Sequence, residues 1–232
     1  MPLALNTRAV GKVTVVQCAG RIVAGNETES LRVHISHMLR DRKNFILHLG
    51  EVNFIDSSGL GAIVRLLTST RQVHGDLKLC NLPQHVHKVL KLTNLTTLFD
   101  THESEDNAIA AFYRRGPEQQ QAPAGPAVLC VHQNGDVLAY LRELLRRGGY
   151  EVHTSGSLRD ALILMRVTRP VLLLIGPNPG GTAATQEAFE TARAALPVIE
   201  LNSEFSTLEA SEATAQLLES IQSRLQTKPG TA

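Results

Sequence analysis

Val52-Asn-Phe-Ile-Asp-Ser-Ser-Gly-Leu-Gly-Ala62 decides how the first half of this chain is read. Just before it stands Phe45-Ile-Leu-His-Leu49, an apolar run short enough for a buried strand. Beyond it Leu60, Ile63, Val64 and Leu67 recur at helical spacing. The stretch is therefore a strand, a tight turn and the start of a helix. Ser57 and Ser58 are both of a type that caps helices, and Gly59 and Gly61 keep the first turn uncrowded. The first N–H groups of a helix lack partners within it, and the helix dipole adds partial positive charge there. A serine in this place sits at the mouth of an anion-friendly site. Two roles stand open for the pair: a plain helix cap, or an acceptor of phosphate.

Working outward, Lys12-Val-Thr-Val-Val-Gln-Cys-Ala19 predicts a strand, and Gly20 and Gly25-Asn26 punctuate a loop after it. Leu31, Ile35, Met38 and Leu39 place an amphipathic helix over residues 27–40. Asp76-Leu-Lys-Leu-Cys-Asn81 alternates like a strand, and Val86, Val89 and Leu90 mark a short helix. Residues 95–99 are expected to form an edge strand and 103–113 a closing helix. Strands alternating with helices over this length imply an α/β domain, a small sheet with packed helices.

In this setting Asp56-Ser-Ser-Gly-Leu-Gly61 resembles the signature of STAS domains in anti-sigma-factor antagonists. Val15-Val-Gln-Cys-Ala-Gly-Arg-Ile22 is similar to the second strand and Gly-Arg segment of that family, and the resemblance runs from about Val10 to Phe112. It implies a protein that binds an anti-sigma factor that is itself a serine kinase. The kinase would phosphorylate the second serine of the motif, Ser58, with Ser57 as the alternative acceptor, and the modified protein would let go. A cognate phosphatase would restore the binding form. By the same resemblance Gly25, Asn26 and Glu27 join Asp56, Ser57, Ser58 and Gly59 in the partner-binding surface. The family usually carries an acidic residue shortly after Gly-Arg, where this chain has Val23. A different class of reading is a non-phosphorylated STAS scaffold or transport-associated subunit, in which Ser58 only caps a helix.

The rest of the 232-residue chain divides at Arg114-Arg-Gly-Pro-Glu-Gln-Gln-Gln-Ala-Pro-Ala-Gly-Pro126, which has linker composition. The expected organisation is a STAS domain over 1–114, a linker over 115–126 and a second domain over 127–232. In the second domain Ala127-Val-Leu-Cys-Val131, Gly149-Tyr-Glu-Val-His153, Pro170-Val-Leu-Leu-Leu-Ile175 and Pro197-Val-Ile-Glu-Leu201 read as strands. Helical spans between them, and one closing the chain, imply a flavodoxin-like, doubly wound parallel sheet. This half resembles a response-regulator receiver domain whose functional residues are missing. His132 and Gln133 replace its acidic pair, Gly176 stands where the phosphate-accepting aspartate would be, and Asn202 replaces a Thr or Ser. Lys228-Pro229 follows the last helix, too late for the family's Lys-Pro. Such a pseudo-receiver implies a docking or dimerisation module, with a homodimer through this domain among the expected contacts, and no magnesium site or aspartyl phosphate.

Other functions are disfavoured by composition. A net charge of +1, no Lys/Arg run and no tryptophan give no footprint for nucleic acid. The apolar run Val171–Ile175 is far too short to cross a bilayer, and the stretch Met1–Val13 lacks the long apolar core expected of a signal peptide. Three cysteines in strand-like runs read as buried residues in a reducing compartment, so the chain is expected in the cytoplasm. The Gly176–Thr182 loop lacks the lysine of a phosphate-binding loop, and two prolines remove N–H donors. The pairs His34/His37 and His85/His87 have no third ligand nearby in sequence. No cofactor, metal or catalytic residue is expected, and the chain is read as a non-enzyme.

Overall fold

Gly11, at a φ of +58°, turns the chain between β1 (Ala4–Val10) and β2 (Val13–Ile22), whose register pairs Val10 with Val13. Left-handed backbone at a two-residue hairpin loop is where glycine is favoured. The strand expected over 12–19 is thus the second arm of a hairpin. The computed structural model describes residues 1–93, 95–114, 125–201, 220, 221 and 224. It divides into two units, Met1–Arg114 and Arg115–Ala232.

In the first unit α1 (Asn26–Met38) follows the hairpin, then β3 (Asn44–Ile55), α2 (Ser57–Gln72), β4 (Asp76–Cys80) and α3 (Gln84–Leu92). A 3-10 turn over Leu95–Thr97, β5 (Asp100–His102) and α4 (Glu105–Tyr113) complete it. The strands run β5-β4-β3-β2-β1, with β2 to β5 parallel and β1 antiparallel at the end. The edge strand therefore begins after the predicted 95–99 segment, which is a 3-10 turn packed on the core through Leu95 and Leu98. Parallel neighbours require a crossover each time, and α1, α2 and α3 supply them. Phe45, Leu47 and Leu49 point to one face of β3, where they meet Leu31, Ile35, Ile63 and Leu66 of α1 and α2. Lys78 points to the other face, its ammonium 4.8 Å from the ring of Phe112 on α4 and paired with Asp100 and Asp76.

Gly20, expected to open a loop, lies inside β2. Its φ is +102°, and a Cβ there would come within 2.3 Å of the Pro2 carbonyl oxygen. Register shifts between Gln17 and Ala19, and between Gly20 and Arg21, make this a bulge. Past it, Arg21 pairs with Phe54 and Ile22 with Ile55, so β2 and β3 end side by side. The loops that leave them are neighbours for that reason.

The second unit runs β6 (Ala127–Val131), α5 (Gly135–Arg147), β7 (Glu151–Ser155), α6 (Leu158–Thr168), β8 (Leu172–Ile175), α7 (Ala183–Arg193) and β9 (Val198–Glu200). Its strands are all parallel, in the order β7-β6-β8-β9. Leu138, Leu141 and Leu145 of α5 pack on Val128, Cys130, Leu172 and Leu174. Leu129 and Leu173, facing the other way, are equally buried, as a parallel sheet covered on both faces requires. Linker residues 115–124, Asn202, Lys228-Pro229 and most of the expected closing helix lie outside the described residues.

Candidate functional site at the start of α2

α2 begins directly at Ser57, and its cap is Asp56. The Asp56 backbone is extended, and its Oδ1 accepts from the Gly59 N–H at 2.7 Å. The two serines, both eligible by type, therefore do not cap. Ser57 and Ser58 occupy the first helical turn with their side chains exposed, and neither hydroxyl makes a hydrogen bond among the described residues.

The second oxygen of Asp56 reaches across to the neighbouring loop, where Oδ2 accepts from the Ala24 N–H at 3.0 Å. One carboxylate thus ties the β2–α1 loop to the start of α2. The Ala24 N–H first, then that of Gly59, hold its carboxyl below the ordinary range. Partial burial opposes them, while the Ser58 N–H and the Arg21 charge add to them. Gly59 is needed for close approach: a Cβ there would fall 2.1 Å from the Ile22 carbonyl oxygen. Gly25 is needed for its backbone, at a φ of +105° with open space around it. Gly25 and Asn26 are exposed and Glu27 is half-buried at the first turn of α1.

The seven residues assigned to a partner surface by resemblance are brought together by the β2–β3 register. Two further residues, Arg21 and Phe54, stand at the same strand ends. Arg21 lies with its guanidinium 5.2 Å from the centre of the Phe54 ring, and Phe54 is 47% exposed. The signal for this pair was the break in alternation at Phe54-Ile55, two adjacent apolar residues just before the turn. The exposure of Phe54 depends on the bulge and was not legible.

In the second unit the ring of His132 occupies the space beside Gly176, with Cδ2 2.1 Å from where a Cβ would stand. Gln133 likewise lies 2.7 Å from a Cβ placed on Gly180. Thr182 caps α7 by accepting from the Thr185 N–H at 3.3 Å. His34 bonds to Thr7 at 2.6 Å, and His87 lines a cavity of about 680 Å³ with Asn81 and His102. No group of three or more His, Cys, Asp or Glu among the described residues is placed to hold a metal ion. Burial pushes the thiols of Cys18 and Cys130 up to about 12, which keeps them protonated near neutral pH. Among the described residues no helix is long and apolar enough to cross a membrane.

This arrangement, a small sheet with an exposed serine at a helix start, coincides with a family match. Residues 4–108 match the family model of the STAS domain, so the first unit carries a STAS domain. BtrV of Bordetella bronchiseptica, named as an anti-sigma factor antagonist, is 28% identical over 42% of this chain and 85% of its own length. The anti-sigma F factor antagonist of Paenibacillus polymyxa is 25% identical over 42% of this chain and 84% of its own. Among solved structures, the unphosphorylated anti-sigma factor antagonist SpoIIAA is 21% identical over 48% of this chain and all of its own, with a TM-score of 0.41. The two curated relatives, matched over the first unit, both bear the name of anti-sigma factor antagonists.

Proposed function

We propose that this chain is a phospho-switched antagonist of an anti-sigma factor that is a serine kinase, and that it regulates sigma-factor-dependent transcription in the cytoplasm. It acts by binding and performs no chemistry of its own. The observation that carries this reading is the freedom of Ser58. Its hydroxyl is exposed on the first turn of α2, while Asp56 does the capping that would otherwise engage a serine.

The kinase transfers the γ-phosphoryl of its ATP to the Ser58 oxygen, releasing ADP and the hydroxyl proton. The phosphate brings a charge of about −1.5 to −2. At a helix start that charge gains roughly 0.3–1 kcal/mol from the dipole, so the fold tolerates it. In a docked interface the same charge is stripped of water without a partner, a cost of about 3–5 kcal/mol. The interface penalty exceeds the local gain, and the complex separates. A phosphatase resets the serine. In the same reading the second unit is a pseudo-receiver used for docking or dimerisation. In support of a lost phosphate site, the His132 ring fills the space beside Gly176, where by resemblance the aspartate of a receiver would stand.

The test is binding of purified Ser58→Ala and Ser58→Asp to the candidate kinase. Retained affinity in the first and a loss of at least ~10-fold in the second, about 1.4 kcal/mol, are expected. Equal binding by both variants would favour a scaffold that is not phosphorylated.

A further inference from the structure

We propose that Arg21 reads a phosphate on Ser58, leaving the face of Phe54 to pair with it, so that the Arg21–Phe54 stack is the element the modification rearranges. The proposal rests on the reading of Ser58 as a phosphoacceptor, and deepens it by naming what the phosphate does within this chain. Arg21 and Phe54 are register partners at the ends of β2 and β3. Arg21 is followed by Ile22, whose carbonyl accepts from the Asp56 N–H at 3.3 Å and abuts Gly59, the residue after Ser58. Arg21 is therefore next in the chain to the residue whose backbone touches the first turn of α2. Among the described residues no ion pair holds it; it lies against the ring at 5.2 Å, and its charge also acts on Asp56, two residues before Ser58.

An exposed cation–π contact is weak beside a bidentate, charge-assisted pair between guanidinium and phosphate. Given a dianion at Ser58, the guanidinium is drawn to it and Phe54 loses its lid. The unmodified protein presents an exposed aromatic with a cation over it at the ends of β2 and β3. The modified protein presents a rearranged surface that still carries net negative charge, because one guanidinium offsets only part of the dianion. Asp56 and Glu27 lie on the same surface and oppose the phosphate, so the contribution of Arg21 is read as a difference between variants.

The experiment uses the full chain with phosphoserine installed at position 58 during translation, so that no kinase is needed. Phosphorus NMR follows its second ionisation, ordinarily near a pKa of about 6. Arg21→Gln is expected to raise that midpoint by roughly half a unit relative to the parent, because a facing cation favours the dianion. Proton NMR adds a structural readout. The Arg21 side-chain signals, shifted by the Phe54 ring in the unmodified protein, should move away on phosphorylation. An unchanged midpoint in Arg21→Gln, or Arg21 signals that stay under the ring, would overturn the proposal. Kinase binding is scored separately: a chain that shows the rearrangement yet binds no kinase retains this inference and loses the kinase reading.

Discussion

The Asp56 carboxylate and the Gly59 N–H meet at 2.7 Å, and this single bond decides what the two serines between them are free to do. With the cap supplied from outside the helix, Ser58 carries no structural duty. Asp56 carries two, because its other oxygen holds the Ala24 N–H. Asp56→Ala is therefore expected to cost about 1 kcal/mol from the lost cap. It should also loosen the β2–α1 loop, read as faster amide exchange at Ala24 and Gly25. Ser57→Ala and Ser58→Ala should leave the melting temperature within about a degree of the parent. A loss in either serine variant comparable to that of Asp56→Ala would contradict the cap assignment.

Acid should act through the same residue. The Asp56 carboxyl is held below its ordinary value of 3.8 by the Ala24 and Gly59 N–H groups. A depressed carboxyl contributes stability that is fully present above the ordinary value and is lost as pH falls through the lower folded value. Titration of the Ala24 and Gly59 amide shifts should show a shared midpoint below 3.8, abolished in Asp56→Asn. A midpoint at the ordinary value would show that the two bonds are not formed in solution.

Gly59 and Gly61 look interchangeable in the motif, and the structure separates them. A methyl at Gly59 meets the Ile22 carbonyl oxygen at 2.1 Å, whereas at Gly61 the nearest atom is a terminal nitrogen of Arg65 at 3.6 Å. Gly59→Ala should force α2 away from β2 and destabilise by about 1–3 kcal/mol, as overpacking does. Gly61→Ala should stabilise by about 0.4–1 kcal/mol through a less flexible unfolded chain. Chemical denaturation of both variants checks this, and the same sign for both would refute it.

In the second unit, Gly176→Asp does not restore a phosphate-accepting site. The new Cβ would lie 2.1 Å from the His132 ring, so the variant should be less stable by about 1–3 kcal/mol. Adding His132→Ala makes room and should recover part of that loss. Thermal melts of the single and double variants decide it, and additive losses would show that His132 is not the obstacle.

Much of this was legible in the chain itself. Apolar periodicity located α1, α2, α5 and α6 and the strands that alternate with them, because burial on one face dictates that spacing. β1 was missed because Ala4-Leu-Asn-Thr-Arg-Ala-Val10 has little apolar run, and what makes it a strand is its ladder with β2. The 95–99 segment looked like a strand from its apolar ends, yet tertiary packing of Leu95 and Leu98 favoured a tight turn.

The sequence by itself determined that Ser58 stands at a strand-to-helix junction, since that follows from local spacing and the conformational needs of glycine. Only the tertiary structure decided which residue caps the helix, which loop stands opposite it and which cation is near. Those depend on the bulge at Gly20 and on the parallel register that sets Arg21 beside Phe54 and Ile22 beside Ile55. Parallel pairing joins segments more than thirty residues apart through a crossover helix, so no local pattern encodes it. The same reason hid His132 from Gly176: β6 and β8 are neighbours in the sheet and distant in the chain.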